Sequence, residues 1–203
     1  MCWDSRMNIA LRTAGMTRDQ FFVWAQTQAA RYEFDGFGPV AMTGGSINHN
    51  RIALSLHRIL FSQLQGSGCE AFGPDAGVAT IGDRVRYPDA VVTCTPAAGA
   101  AHLVPDPVAV FEVVSPSSGE IDRIVKAREY RAVGSIRRYV ILESLSMAAT
   151  LLSRSASGAD WMLTTLVGGD TLHVSELGLS ILLADIYAGT GLPEIVEGDT
   201  LGP

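Results

Sequence analysis

Lysine is all but absent from this chain of 203 residues, which carries fourteen arginines and a single lysine, Lys126. Cysteine is nearly as scarce. Cys2, Cys69 and Cys94 are odd in number and lack CxxC spacing, so neither a disulfide framework nor a zinc knuckle is expected, and a reducing cytoplasm is the expected compartment. Long apolar runs are missing as well. No stretch reaches the roughly 20 residues needed to span a bilayer, and residues 1–15 lack the apolar centre of a signal peptide. A basic surplus is also lacking: the net charge of −6 excludes a protein that coats nucleic acid through many phosphate contacts, though not an enzyme with a local basic patch. Gly44-Gly45 and Gly168-Gly169 read as turns without P-loop context, and Ser115-Pro116-Ser117-Ser118 has no nucleophile elbow. No internal repeat and no low-complexity linker divides the chain.

What is present describes one globular domain of mixed α/β (α+β) class, 47% hydrophobic and 18% charged. Its expected limits are residues 16–192, with a flexible extension over 1–15 and a tail over 193–203. Thr17 and Gln20 form a capping-box signal for a first helix. Arg31–Phe34 and Pro39–Met42 read as strands joined through Asp35-Gly36. Ser46 caps a second helix from about Asn48 to Gln65, whose apolar face is Ile52, Leu56, Ile59, Leu60 and Leu64. Val78–Ile81 and Val85–Cys94 read as a hairpin about Gly82-Asp83. Val108–Val114 is a nearly continuous apolar run, as in a strand buried on both faces. A helix is expected over Asp122–Val133, strands over Arg138–Leu142, Ala148–Ser153 and Trp161–Val167, and a terminal helix over Leu182–Tyr187.

Glu112 stands inside the apolar Val108–Val114 run. A carboxylate there costs several kcal/mol unless it is paired, protonated or bound to a metal. Asp89 begins another apolar strand, and carboxylates on adjacent strands can share a hard divalent cation. The alternative for Glu112 is a buried ion pair with an arginine. Lys126 is notable because arginine serves everywhere else; a lysine suits a place that needs a compact point charge. Its plainer reading is an exposed pair with Asp122, worth about 0.3–0.5 kcal/mol. Asp122, Lys126 and Tyr130 share one helix face. Six basic residues lie between Arg123 and Arg138, opposed there only by Glu129, as either a solvated face or a phosphate-binding cluster. His49 and His57, eight residues apart on the second helix, read as surface or core-edge histidines before metal ligands.

In order and spacing, Glu33-Phe34-Asp35-Gly36, His49, Pro88-Asp89, Glu112-Val113-Val114-Ser115-Pro116-Ser117 and Asp122-Arg123…Lys126…Tyr130 resemble the Uma-type family of bacterial endonucleases. That family has the restriction-endonuclease-like PD-(D/E)XK fold, and the resemblance runs from about Met16 to Leu192. It implies Asp89, Glu112, Lys126 and Glu33 as catalytic residues, with Asp89, Glu112 and the Val113 carbonyl holding Mg²⁺ or Mn²⁺. Arg123, Tyr130 and His49 are the implied substrate contacts. One departure stands out: Val114 occupies the superfamily's usual lysine position, and Lys126 on the next helix fits in its stead. Glu33 is read equally as the polar side of a hairpin strand. The implied activity is metal-dependent hydrolysis of DNA phosphodiesters, the implied partners are DNA and a second copy in a homodimer, and the alternative is a non-catalytic nucleic-acid- or protein-binding module on the same fold.

Overall fold

The computed structural model describes residues 15–114 and 119–194. Thr17 caps α1 (Arg18–Ala25) in the expected capping box, its side chain accepting from the Gln20 amide while the Gln20 side chain accepts from the Thr17 amide. Strands β1 (Tyr32–Phe34) and β2 (Pro39–Ala41) pair antiparallel through the Asp35 turn. The second helix, α2 (Ile47–Gln63), starts at Ser46 and buries Ile52, Leu56 and Leu60.

The Val85–Cys94 segment departs from expectation. It is two strands in two sheets, β5 (Val85–Arg86) and β6 (Ala90–Thr93). Pro88 offers no amide hydrogen and restricts Tyr87, so the ladder breaks there and the chain crosses between sheets. β5 joins β4 (Val78–Ala79) in a four-stranded sheet of order β2-β1-β5-β4. β6 lies in a six-stranded sheet with β3 (Glu70–Phe72), β7 (Pro107–Val114), β8 (Arg138–Glu143), β9 (Ala148–Arg154) and β10 (Trp161–Val167), in the order β10-β9-β8-β7-β6-β3. Only the β7–β8 pair in it is parallel, and α3 (Gly119–Ala132) provides the crossover that a parallel pair requires. β11 (Thr171–Val174) and β12 (Leu179–Leu182), a hairpin not anticipated, lead into the short helix α4 (Leu183–Ile186).

Each face of the six-stranded sheet is packed. On one side Ile52, Leu56 and Leu60 of α2 meet Ala90, Phe111, Val113 and the β11–β12 hairpin. On the other Tyr130 of α3 meets Val91, Val110, Tyr139 and Ile141. β10 is an edge strand with Met162 and Leu163 exposed, and no charge falls within it. The cysteine expectation also needs correcting. Cys69 and Cys94 form a disulfide, because they extend the β3–β6 ladder one step beyond the Glu70–Thr93 pair and so face each other directly.

A buried carboxylate and lysine cluster

The antiparallel register pairs Ala90 with Phe111, so Asp89 lies opposite Glu112 one step beyond the last pair. Side chains opposite each other in such a ladder point to the same face, which here is the face covered by α3. Glu112 is 5% exposed. Burial pushes its carboxyl up to about 7, against the pull of Lys126, and the nearby Asp89 and Glu33 add to the rise. Lys126 Nζ donates to Glu112 Oε1 at 3.2 Å and Tyr130 Oη donates to the same oxygen at 3.0 Å. Both bonds fall on Oε1, so the second oxygen takes neither.

Lys126 also sits 3.4 Å from Glu33, so its ammonium bridges two carboxylates. From Glu33 the network continues inward. Arg86 donates to Glu33 at 2.9 Å and grips Glu129 with two parallel bonds of 2.7 and 2.8 Å. Arg84 lies 3.4 Å from Glu129, and the Tyr87 amide donates to Glu33 at 3.3 Å. Cation and anion alternate from Arg84 through Glu129, Arg86, Glu33 and Lys126 to Glu112. Such a chain survives burial because each charge faces its opposite.

Asp89 closes the other side. Its Oδ2 accepts from the Val113 amide at 2.7 Å and lies 3.4 Å from His49 Nε2. The bond with Asp89 raises the His49 pKa above its ordinary value, overcoming the opposite effect of burial. Gly45 makes room for the His49 imidazole, since a Cβ there would come within 2.5 Å of the ring. His57 meets the Asp89 backbone carbonyl at 2.8 Å, so both histidines of α2 tie the strand that carries Asp89.

Asp89, Glu112, Lys126, Glu33, His49 and Val113 therefore come together. Tyr130 joins them from below, fully buried, with its hydroxyl spent on Glu112 and not turned to a substrate. Arg123 is held by Glu143 at the end of β8 through bonds of 2.6 and 2.8 Å. Ser115–Ser118 and the side chain of Asp122 lie outside the described residues. Sequence reasoning missed Arg86 and Glu129; the one signal available was an acidic residue, Glu129, alone in a run of arginines.

Among the described residues no three His, Cys, Asp or Glu side chains converge as a ready-made metal cage. The donor set present is the carboxylate pair of Asp89 and Glu112. That suits Mg²⁺, which takes one or two carboxylates, keeps several waters and borrows substrate oxygens. Arg84, Arg86, Lys126 and His49 face the four carboxylates of Glu129, Glu33, Glu112 and Asp89, and a bound cation would draw on Glu112 and Asp89.

A six-stranded mixed sheet with a carboxylate pair at the β6–β7 end and a crossover helix above it is the restriction-endonuclease-like fold. The same fold is found in the crystal structure of a "putative nuclease belonging to DUF820" from Anabaena variabilis, with a TM-score of 0.65 at 13% identity, over 85% of this chain and 97% of that one. Residues 18–184 match the Uma2 family, described as "Putative restriction endonuclease", and the chain belongs to that family. Two uncharacterized Synechocystis proteins are similar to it. One, slr1290, is 28% identical over 86% of this chain and 92% of its own length, and the other, sll1609, is 22% identical over 80% and 93%. No described helix is long and apolar enough to cross a membrane.

Proposed function

We propose that this protein is a Mg²⁺- or Mn²⁺-dependent endonuclease that hydrolyses DNA phosphodiester bonds, acting as a homodimer. The observation that carries this reading is the register-matched pair Asp89 and Glu112 with Lys126 between Glu112 and Glu33. Asp89, Glu112 and the Val113 carbonyl are the residues to hold the cation. When bound, a divalent ion neutralises a phosphate oxygen and lowers the pKa of a coordinated water. Glu112, with its pKa near 7, ionises at working pH to receive positive charge. Lys126 is positioned to donate from Nζ to a phosphate oxygen as negative charge builds in the transition state. Glu33 positions Lys126, and Arg86 positions Glu33. His49 holds Asp89 Oδ2.

The test is supercoiled plasmid incubated with Mg²⁺ or Mn²⁺ beside the Asp89→Asn protein: nicking or linearisation by the parent alone supports the reading. The competing reading, a binding module without catalysis, draws on the same cluster, in which Asp89, Glu33 and Glu112 each already have protein partners. Duplex binding without cleavage and without Mn²⁺ uptake in calorimetry would establish it. Light scattering tests the dimer, and a monomer at micromolar concentration removes that part of the proposal.

A further inference from the structure

Along the flank of α3 opposite Glu129 runs a groove of about 700 Å³ between the helix and strands β8–β10. Its floor is apolar, formed by Ile141, Leu152 and Leu163. Its rim is cationic, with Arg128, Arg131 and Arg154. Trp161 stands at one end, with the Arg154 guanidinium 4.7 Å and that of Arg131 5.8 Å from its ring centre. Arg128 and Arg131 are exposed and make no ion pair among the described residues. Arg154 donates to the carbonyls of Arg131, Val133, Ile136 and Gly158 and meets no carboxylate there. Burial, with Arg137 and Arg131 close by, presses its pKa down. In a chain of net charge −6 this is a local excess seeking an anion.

The shape narrows the anion. Register sets Ile141 beside Glu112 on the same sheet face, so the floor begins one strand, about 5 Å, from Glu112 and two from Asp89. A duplex offers phosphates and base edges but keeps its base faces stacked inside, where an apolar floor and an indole cannot reach them. A volume within the roughly 300–1,000 Å³ of small-ligand sites also cannot admit a duplex. Unpaired nucleotides match both features, with phosphates on the arginine rim and bases against Trp161 and Leu163.

We propose that this groove binds single-stranded nucleic acid, the unpaired strand flanking the bond to be cut; the cut rests on the nuclease reading above, and the binding on the groove alone. The experiment is fluorescence anisotropy of a labelled oligothymidylate with the full chain in EDTA, so that cleavage plays no part. The parent is expected to bind it more tightly than the matching duplex. Arg128→Gln/Arg131→Gln, at exposed positions, should bind at least tenfold more weakly, with a slope against log salt shallower by about 1.4, two phosphate contacts at roughly 0.7 each. Glu112→Gln should bind like the parent while losing plasmid cleavage. Unchanged affinity in the double variant, or duplex bound as tightly as single strand, overturns the proposal even if the enzyme cuts plasmid. Groove-dependent binding by a parent that never cleaves would sustain it and instead remove the nuclease reading.

Discussion

Replacing Glu112 by glutamine should change how stability depends on pH, and the geometry sets the size of the change. The Glu112 carboxyl titrates near 7 in the folded protein against 4.5 for the free side chain. Between those values the folded state holds a proton that the unfolded state has released, so stability is full below the lower value and falls as pH rises toward the upper one. At about 1.4 kcal/mol per pH unit, the parent loses about 3 kcal/mol across that window. For a chain of this length that is roughly 6–12 °C in melting temperature. Glutamine keeps an oxygen for Tyr130 and has no charge to bury, and Lys126 retains Glu33. Glu112→Gln should therefore match the parent near pH 5 and equal or exceed it at pH 8. His49, with its pKa also raised, loses stability in the same direction as pH rises; the part of its rise due to Asp89 is common to both proteins and cancels, while the smaller part due to Glu112 is lost with it in the variant. Thermal melts of both proteins from pH 5 to 8, in EDTA and then in excess Mg²⁺, are the assay. Magnesium should restore the parent at pH 8, by about 2.7 kcal/mol at a hundredfold excess over Kd, and leave the variant unmoved. A variant melting well below the parent at pH 8, or a difference that does not change with pH, would refute the reasoning.

Other outcomes can be stated more briefly. Lys126→Ala should lose cleavage by about a hundredfold or more and, unlike an exposed helix lysine, should cost about 3 kcal/mol at pH 8 and less at pH 5; Lys126→Arg should recover part of the stability without the rate. Arg86→Met strands the carboxylates of Glu129 and Glu33 in the interior, and a loss of about 3–5 kcal/mol in urea unfolding is expected; a loss under about 1 kcal/mol would show that the network is solvated. Cys94→Ser removes the link across β3 and β6 and should cost roughly 3 kcal/mol in oxidising buffer and nothing once the parent is reduced, checked by the denaturation midpoint with and without dithiothreitol.

The helices were legible because their signals are local: Thr17 and Gln20 for α1, Ser46 and the Ile52–Leu64 spacing for α2. β7 was legible from its unbroken apolar run, and with it the oddity of Glu112. Pro88 was in plain view, yet a hairpin reading of Val85–Cys94 passed over it. β11 and β12 are only four residues each, too short for their alternation to stand out. Within the site, helix spacing told which face Tyr130 shares with Lys126 but not how deep that face lies, and Tyr130 proved fully buried. The partnership of Arg86 with Glu129 joins residues 43 positions apart and leaves no periodic trace. Counting cysteines failed for a simple reason: an odd total does not forbid one pair, and Cys69 and Cys94 are brought opposite each other only by the β3–β6 register.

The bond from the Val113 amide to Asp89 Oδ2 bears on how an inactive form of this protein should be made. Alanine is the habitual choice for silencing an acidic centre, but here the aspartate is also a strut beneath the end of β7. Removing it leaves a partly buried amide hydrogen without its acceptor, at about 1–3 kcal/mol, and frees the segment that carries Glu112 and Val113. Silence in an alanine form would then report a slackened backbone as readily as a missing ligand. Asparagine retains an oxygen for the amide while giving up the charge and the second carboxylate oxygen, so a dead Asp89→Asn protein with an unchanged melting curve speaks to chemistry alone.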